Sequence, residues 1–465
     1  MLRVVPADRP LDVLDNLREA LAGRGDAVLP VPAPAPVRPA ADSAAASAAD
    51  SAAAPAATRA STAVTRPARL ARNGSTGAHV PGSASESPVP VPSTVPDGTA
   101  VVIETSGSTG VPKRVLLGAH ALRASAAASS AALGGPGQWL LALPAHYVAG
   151  VQVLVRSLEA GTTPVVLAPG HFDPSAFFEA AALLTEPLRY TSLVPVQLAR
   201  LLDAADADAD ADAGSGTVTG GAGAVAILRR FTAILVGGQA VPPALLARAA
   251  SLGITVVRTY GSSETAGGCC YNGRPIGDTV VRVVDGELEI SGSVLAEGYL
   301  DDPLRTRDRF TEENGVRWYR TGDLGEVDAA TGLVRVLGRA DNVIISGGEK
   351  VSLDAVERVV RALPGFADAV VVGAADARWG QVPVVAVPAA HAPSSAARPS
   401  VALSSAARLA AVTDAVASAL GKAARPARLL EVPAIPLLAS GKPDRRALER
   451  LAGADVDDGT ADAPE

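Results

Sequence analysis

Residues 119–258 are dominated by an alternation of two kinds of segment. Short apolar runs rich in β-branched residues have the length of buried strands, and the Ala- and Leu-rich stretches between them have the length of helices. The predicted strands are 139–143, 164–167, 190–194, 233–236 and 255–258, and the predicted helices are 119–132, 151–159, 175–184, 196–202 and 243–252. This alternation predicts parallel βαβ units with helices on both faces of a sheet.

The chain after this region changes character twice. From residue 277 to 336 the helical pattern stops, and short strands separated by turns predict a distorted barrel or a meander. A small α+β unit begins after residue 338, with helices predicted at 353–363 and 409–420 and strands at 367–374 and 382–387. The predicted fold class is therefore α/β, with a large N-terminal domain of parallel βαβ sheets plus a distorted β-barrel, and a small mobile α+β C-terminal domain.

Stretches of biased composition set the expected domain limits. Residues 32–96 are largely Ala, Pro and Ser, which cannot bury enough apolar surface to offset the entropy of ordering, so we expect a disordered linker there. Two shorter inserts, 203–224 and 389–405, are expected to be loops. The expected parts are a strand–helix–strand segment at 1–31 that adds an edge to a sheet, the linker at 32–96, a large domain at 97–338, a lid domain at 339–451 and a disordered tail at 452–465.

The overall composition favours a soluble enzyme that acts on small molecules. Hydrophobic residues make up 48% of the chain and aromatic residues only 3%, so Ala, Val and Leu must fill a sizeable core. The net charge of −7 argues against a nucleic-acid partner. We expect no membrane span and no secretion signal, and the adjacent Cys269 and Cys270 suit neither a disulfide nor a zinc site, so a reducing cytoplasm is expected. A homo-oligomer is left open.

A loop rich in hydroxyls and glycines follows the apolar run 100–103. The order Thr105-Ser106-Gly107-Ser108-Thr109-Gly110-Val111-Pro112-Lys113 suits a polyphosphate, because the glycines let backbone N–H groups approach phosphate oxygens while the lysine supplies charge. The loop differs from the Walker motif, in which the lysine directly follows a glycine. Its composition alone is also that of an ordinary surface loop.

Four further motifs follow in order along the chain. They are Tyr260-Gly-Ser-Ser-Glu-Thr265, Tyr319-Arg-Thr-Gly-Asp-Leu-Gly325, Gly338-Arg-Ala-Asp-Asn-Val-Ile-Ile-Ser-Gly-Gly-Glu-Lys350 and Ser440-Gly-Lys-Pro-Asp444. With the first loop they resemble the superfamily of adenylate-forming enzymes, which includes acyl-coenzyme A ligases, luciferases and the adenylation domains of peptide synthetases. The resemblance covers roughly residues 96–451. Within the superfamily, segments 143–150, 192–202, 235–240 and 346–349 look most like the o-succinylbenzoate–coenzyme A ligases of menaquinone synthesis.

This resemblance implies ATP, Mg²⁺ and coenzyme A as ligands and a role for each motif. In the nucleotide site, Lys113 and the first loop would hold the β- and γ-phosphates, Glu264 would bind Mg²⁺, Thr265 would contact the α-phosphate, Asp323 would accept the ribose hydroxyls with help from Arg339, and Gly237, Gly238, Gln239, Tyr260 and Gly261 would form walls of the adenine and acyl pocket. Lys442 would neutralise the attacking carboxylate and the α-phosphate, which is charge stabilisation of the kind that lowers a barrier. The residues alone also allow a solvated Glu264, an Asx-turn at Asp323 and a solvent-facing Lys442.

The same resemblance implies how the second step proceeds. Lys442 must leave before coenzyme A attacks the adenylate, and relatives achieve this by rotating the lid at a hinge that matches Asp341. Gly347 and Gly348 would border the tunnel for pantetheine. His146 would shape the acyl pocket or serve a structural role. Arg200 is a candidate partner for the second carboxylate of o-succinylbenzoate, or else an exposed helix arginine.

Two other functions are compatible with these motifs. One is adenylation of a different acid, by another acyl- or aryl-coenzyme A ligase or by an adenylation domain of a peptide synthetase, although no carrier segment follows residue 451. The other is a non-catalytic nucleotide-binding regulator, which we would expect to have lost Lys442, Glu264 or Asp323.

Overall fold

The structure is a computed structural model that describes residues 1–32, 92–105, 112–215, 221–389, 404–438 and 442–458. Most of the expected linker at 32–96 lies outside these residues, as do the phosphate-loop residues Ser106, Gly107, Ser108, Thr109 and Gly110 and the end of the tail.

The elements of the larger part run in the following order along the chain. The strands are β1 (Leu2–Pro6), β2 (Ala27–Val31), β3 (Thr99–Thr105), β4 (Lys113–Gly118), β5 (Gln138–Leu141), β6 (Val165–Val166), β7 (Arg189–Leu193), β8 (Ala233–Val236), β9 (Val256–Ser262), β10 (Gly267–Tyr271), β11 (Arg274–Pro275), β12 (Val280–Val284), β13 (Glu287–Ser291), β14 (Gly298–Tyr299), β15 (Phe310–Glu313), β16 (Val316–Val327) and β17 (Val334–Arg339). The helices are α1 (Pro10–Leu21), α2 (Ala119–Leu133), α3 (Val148–Ala160), α4 (Pro174–Ala182), α5 (Pro195–Ser215), α6 (Gly221–Arg229), α7 (Pro243–Ser251) and α8 (Pro303–Arg309).

The first sheet has the strand order β1-β2-β3-β4-β14. β1, β2 and β3 pair in parallel, so the N-terminal strand–helix–strand segment adds to the sheet, as predicted. β3 and β4 form an antiparallel pair in which Thr105 lies opposite Lys113. The first motif is therefore the connection of a β-hairpin, with its described ends side by side.

The second sheet contains the predicted βαβ units. Its order is β11-β10-β9-β8-β7-β5-β6, and the strands from β9 to β6 pair in parallel. Trp139 of β5, Tyr190 of β7 and Phe177 of α4 are buried in its core. Because parallel strands need covering on both faces, their apolar runs gave a strong sequence signal.

The antiparallel third sheet has the order β12-β13-β16-β15, and β17 pairs with β16. The strand-rich character predicted for 277–336 is confirmed. The expected absence of helices there is wrong, because α8 begins where Asp302 accepts a hydrogen bond from the Arg305 N–H at 3.0 Å and Pro303 occupies the first helical turn.

The C-terminal part forms a fourth sheet with the order β19-β18-β21-β20 and with β22 beside β21. Its elements are β18 (Val343–Ser346), β19 (Glu349–Ser352), α9 (Leu353–Arg361), β20 (Val370–Asp376), β21 (Gly380–Pro388), α10 (Ser405–Leu420), β22 (Arg428–Val432) and α11 (Arg445–Asp458). Buried residues from Ile344 onward pack into clusters of their own. The α+β composition of this part is as predicted.

One expected loop is helical. The Ala-Asp insert that begins at residue 203 continues α5 to Ser215, and α6 starts at Gly221. Alanine has the highest helix propensity, and Ala205 is fully buried. Asp203 and Asp206 also reach Arg248 of α7, with N···O distances of 2.7 and 2.6 Å. Asp203 and Asp206, whose side chains the structure describes, lie on the exposed side of the helix, and the aspartates of the insert had suggested a loop.

Within the described residues, no helix combines the length and apolarity needed to cross a bilayer.

Candidate active site

Glu264 is the most buried charged side chain of the site, with 2% exposure. It lies in the short 3₁₀ turn Ser263–Thr265 between β9 and β10. The Lys113 ammonium approaches its Oε1 at 2.5 Å, and the hydroxyl of Tyr299 donates to the same oxygen at 2.9 Å. Burial acts to raise the pKa of Glu264, but the charge and hydrogen bond of Lys113, aided by Tyr299, lower it overall. Glu264 is therefore held as a carboxylate.

Tyr299 was missed by the sequence interpretation. It lies on β14, whose pairing with β4 sets Tyr299 opposite Val115, two residues from Lys113. Only this long-range pairing brings the tyrosine to Glu264. The sequence offered no local signal beyond an aromatic residue after a glycine.

Thr265 makes its hydrogen bonds within the turn Ser263–Thr265 and its neighbours. Its side chain is fully buried, its hydroxyl oxygen accepts a hydrogen bond from the Ser262 N–H at 2.9 Å, and the hydroxyl donates to the Gly267 carbonyl at 2.8 Å. The single proton of a hydroxyl can make one such donation. The side chain thus stabilises the turn that carries Glu264, and a contact of Thr265 with the α-phosphate stays a prediction.

Asp323 joins three elements of the site. It lies on β16 directly opposite Arg339 of β17, whose Nη1 donates to Oδ1 at 3.1 Å. The hydroxyl of Tyr260 on β9 donates to Oδ2 at 2.7 Å. Burial raises the pKa of Asp323, against the lowering effect of these two partners. Each carboxylate oxygen keeps a further lone pair for a ligand hydroxyl.

Arg339 extends this cluster to residues 340–342, which form the connection between the larger part and the C-terminal part. Its Nε and Nη2 donate to the two oxygens of Asp341 at 3.0 and 3.2 Å, and Nη1 also reaches the Thr321 carbonyl at 3.1 Å. Burial acts to raise the pKa of Asp341, but Arg339 outweighs it and the pKa is lowered. Asp341 is thus fixed as an anion within the connection.

The C-terminal lysine reaches the same cluster. The Lys442 carbonyl accepts a hydrogen bond from the Leu438 N–H at 2.8 Å. Cε of Lys442 lies 3.9 Å from the point where a Cβ on Gly238 would stand. Desolvation of its ammonium group lowers the pKa of Lys442, and the positive charge of Arg339 lowers it further. All five motifs, on both sides of the chain connection, therefore converge through their described residues.

Two of the glycines predicted to form pocket walls, Gly237 and Gly261, are required by packing within the sheet. A Cβ on Gly237 would stand 2.2 Å from Oγ1 of Thr259, and one on Gly261 would stand 2.0 Å from the Gly267 carbonyl oxygen. Neighbouring strands exclude a side chain at both positions. These two glycines therefore permit close packing within the sheet, and their role as walls of the adenine and acyl pocket stays a prediction. Gln239 is half-buried next to them.

His146 and Arg200 were predicted to line the acyl pocket. His146 is half-buried just before α3, with its ring centroid 4.1 Å from that of Tyr147. Burial lowers the pKa of His146, which favours a neutral imidazole at neutral pH. Arg200 lies on the exposed side of α5, whose residues Leu198 and Leu201 are fully buried. An exposed arginine does not match the shielded carboxylate pocket expected of it.

Gly347 and Gly348 form the turn between β18 and β19. The Gly347 N–H donates to the Trp379 carbonyl at 2.9 Å, and the Trp379 side chain is 48% exposed. No sequence motif marks this tryptophan as a site residue. The turn remains a predicted border of the coenzyme A path.

Comparison with known families decides the classification. Residues 35–300 match the family described as AMP-binding enzyme, and residues 355–442 match the AMP-binding enzyme C-terminal domain. The chain belongs to the AMP-binding enzyme family. The match to two successive family parts agrees with the order of motifs along the chain.

This AMP-binding enzyme has curated relatives with specific names. It is 43% identical over 297 residues to a probable 2-succinylbenzoate–CoA ligase of Mycobacterium tuberculosis, covering 63% of this chain and 72% of that protein. It is 33% identical over 310 residues to a 2-succinylbenzoate–CoA ligase of Bacillus cereus, covering 62% of this chain and 59% of that protein.

Solved structures of an enzyme with a corresponding name are also similar to this chain. The o-succinylbenzoate coenzyme A synthetase of Bacillus subtilis in complex with its acyl-adenylate intermediate is similar with a TM-score of 0.60 and 27% identity, covering 76% of this chain and 69% of that one. The same B. subtilis enzyme in complex with ATP and magnesium ion gives a TM-score of 0.58, with 27% identity and coverage of 76% and 70%.

The described site residues of this family member also fit a Mg²⁺ ion that is bound together with nucleotide phosphates. The described residues contain no group of three or more His, Cys, Asp or Glu side chains that could enclose a metal. Mg²⁺ at nucleotide sites is commonly bound through one or two carboxylates together with phosphate oxygens. The ionised, buried Glu264 supplies one such carboxylate.

Proposed function

We propose that this enzyme activates o-succinylbenzoate with ATP and transfers the acyl group to coenzyme A, giving o-succinylbenzoyl-coenzyme A for menaquinone synthesis. The observation that carries the adenylation chemistry is the convergence of Lys442 with Asp323, Arg339, Glu264 and Lys113. The choice of acid is supported by the names of the relatives and by the similarity to the B. subtilis enzyme.

In the first step the succinyl carboxylate oxygen attacks the α-phosphorus of ATP and pyrophosphate leaves. Asp323 binds the ribose hydroxyls through its remaining lone pairs, held in place by Tyr260 and Arg339. Lys113 keeps two further N–H donors beyond the one used by Glu264, and these bind the β- and γ-phosphates. Glu264 would hold Mg²⁺, which supplies charge neutralisation between phosphate oxygens when bound.

Lys442 stabilises the charge that gathers as the carboxylate and the α-phosphate come together. A cation fixed at the reacting atoms acts on the transition state more than on the bound ATP. In the second step the thiol sulfur of coenzyme A attacks the adenylate carbonyl, the C–O bond to AMP breaks and AMP leaves. Lys442 must then give way, and we assign the hinge to Asp341 and the approach of pantetheine to the turn at Gly347 and Gly348.

Pyrophosphate release across a panel of carboxylic acids tests the substrate. We expect o-succinylbenzoate to give the highest kcat/KM and mass spectrometry to detect its coenzyme A thioester. A preference for benzoate or a fatty acid would contradict the choice of acid and favour another acyl- or aryl-coenzyme A ligase. Pyrophosphate release without any thioester would favour a stand-alone adenylation domain.

A further inference from the structure

The carboxylate of Asp354, at the start of α9, ties together both ends of the connecting segment. Its Oδ2 accepts the backbone N–H of Arg339 at 2.7 Å, and its Oδ1 accepts a side-chain N–H of Asn342 at 2.7 Å. These two residues flank Asp341. A single side chain of the C-terminal part therefore holds the backbone before the connection and the side chain at its end.

The same carboxylate is joined to the segment that carries Lys442. Arg445 comes three residues after Lys442, at the first position of α11, and its Nη2 lies 3.4 Å from Oδ1 of Asp354 and 2.8 Å from Oε2 of Glu357. Nη1 of Arg445 donates to the Val371 carbonyl at 2.5 Å. Asp444 caps α11 through the Ala447 N–H at 3.0 Å. The segment that carries Lys442 is thus anchored to α9.

Capping of α9 does not account for these contacts. Ser352 is the N-cap, because its hydroxyl accepts the Ala355 N–H at 3.2 Å. The Asp354 side chain is only 20% exposed and turns toward the connection and Arg445. A residue needed only for a favourable charge at a helix start would be free to remain in solvent.

We propose that Asp354 is a positioning residue for adenylation, which holds Lys442 at the reacting atoms by joining Arg445 to the backbone of Arg339. This inference rests on the proposed function and adds a residue to it. Asp354 acts through Lys442 and contacts no substrate itself. Its loss therefore affects the step that uses Lys442 and spares the step that does not.

The kinetic test compares the two half-reactions in Asp354→Ala. ATP–pyrophosphate exchange should fall about tenfold or more, while conversion of supplied o-succinylbenzoyl-adenylate to the thioester should stay within about twofold. In a Lys442→Ala background the same substitution should add less than about twofold, because residues that act through one another are not additive. Asp354→Asn, which preserves the size of the side chain, should show a smaller loss in the same direction.

Asp328→Ala is the matched control. Asp328 accepts backbone N–H groups from Ala330 at 3.1 Å and Thr331 at 2.7 Å, but it lies in the turn between β16 and β17. It should leave both half-reactions unchanged. Equal losses in the two half-reactions of Asp354→Ala, or an undiminished loss in the Lys442→Ala background, would overturn the proposal.

Hydrogen exchange provides a test that needs no substrate. The amide of Leu438 donates to the Lys442 carbonyl, and the amide of Asp444 donates to the Pro436 carbonyl, both at 2.8 Å. Their exchange should accelerate in Asp354→Ala and not in Asp328→Ala, because local opening exposes them. Unchanged exchange would overturn the positioning role. Failure of the wild type to use o-succinylbenzoate would instead overturn the proposed substrate, and the exchange result would still decide the role of Asp354.

Discussion

The charge of Lys442 depends on its surroundings. Desolvation and the cations Arg339 and Lys113 lower its pKa, whereas Asp323 and Glu264 act to raise it. The net shift is downward from the ordinary lysine value of 10.5. The neutral amine therefore forms at a lower pH than for a lysine in water, and a neutral amine cannot stabilise the reacting phosphate.

We predict that kcat/KM for adenylation falls on the alkaline side with an apparent pKa below 10.5, since this parameter reports groups of the free enzyme. Lys442→Arg should remove this alkaline decrease, because a guanidinium stays protonated throughout the range. The measurement is the pH dependence of ATP–pyrophosphate exchange for both proteins. An identical alkaline limb in the variant would show that another group titrates.

Site residues with their own motif could be predicted from the sequence, and those placed by pairing could not. Lys113, Glu264, Asp323 and Lys442 each lie in a recognisable turn. Tyr299 reaches Glu264 only because β14 pairs with β4, and the hydroxyl of Thr265 is used by its own turn. The exposed position of Arg200 depends on which side of α5 faces the core, which its local sequence did not reveal.

Among the elements, α5 contains a run of alternating Ala and Asp that was predicted to be a loop and is helical. The sequence suggested a loop after residue 203 because aspartates alternate with alanines, yet the structure continues the helix to Ser215. Two of those aspartates meet Arg248 of α7. β8 of the second sheet was easier to recognise, because it is buried throughout and all four of its residues are apolar.

Ala207→Gly tests whether α5 extends in solution. Ala207 is exposed, so its replacement changes helix propensity without removing buried contacts. The free energy of unfolding should fall by about 1 kcal/mol, as for glycine in a helix interior. Urea denaturation measures this change, with Ala330→Gly in the turn after β16 as the control. Equal effects of the two substitutions would argue for a loop at 207.

The role of Asp341 as a hinge can be tested with two substitutions. Asp341→Pro fixes φ and removes an N–H, whereas Asp341→Ala removes only the contact with Arg339. We predict that thioester formation from supplied adenylate falls in the proline variant while adenylation persists. The alanine variant should change both steps little, because half-exposed ion pairs contribute about 0–1 kcal/mol. Similar kinetics in the two variants would place the hinge elsewhere.

At the scale of the whole molecule, the proposed adenylation requires charges from distant parts of the chain to meet at one place. The order of motifs and the α+β character of the C-terminal part could be predicted, because each rests on local patterns. The approach of Lys442 to Gly238 could not, since sequence separation does not give distance in space. The family resemblance implied that Lys442 reaches the site, and the structure places its side chain beside Gly238.

Both half-reactions, measured in the wild type and in Lys442→Ala, test whether this cluster is the adenylation site. The wild type should catalyse ATP–pyrophosphate exchange that depends on o-succinylbenzoate. Lys442→Ala should reduce that exchange by a factor of about 10²–10³, the usual effect of losing one preorganised contact to the transition state. Conversion of supplied o-succinylbenzoyl-adenylate to the thioester should continue in the variant. Equal damage to both half-reactions, or exchange that survives the substitution, would contradict the assignment of this cluster as the adenylation site.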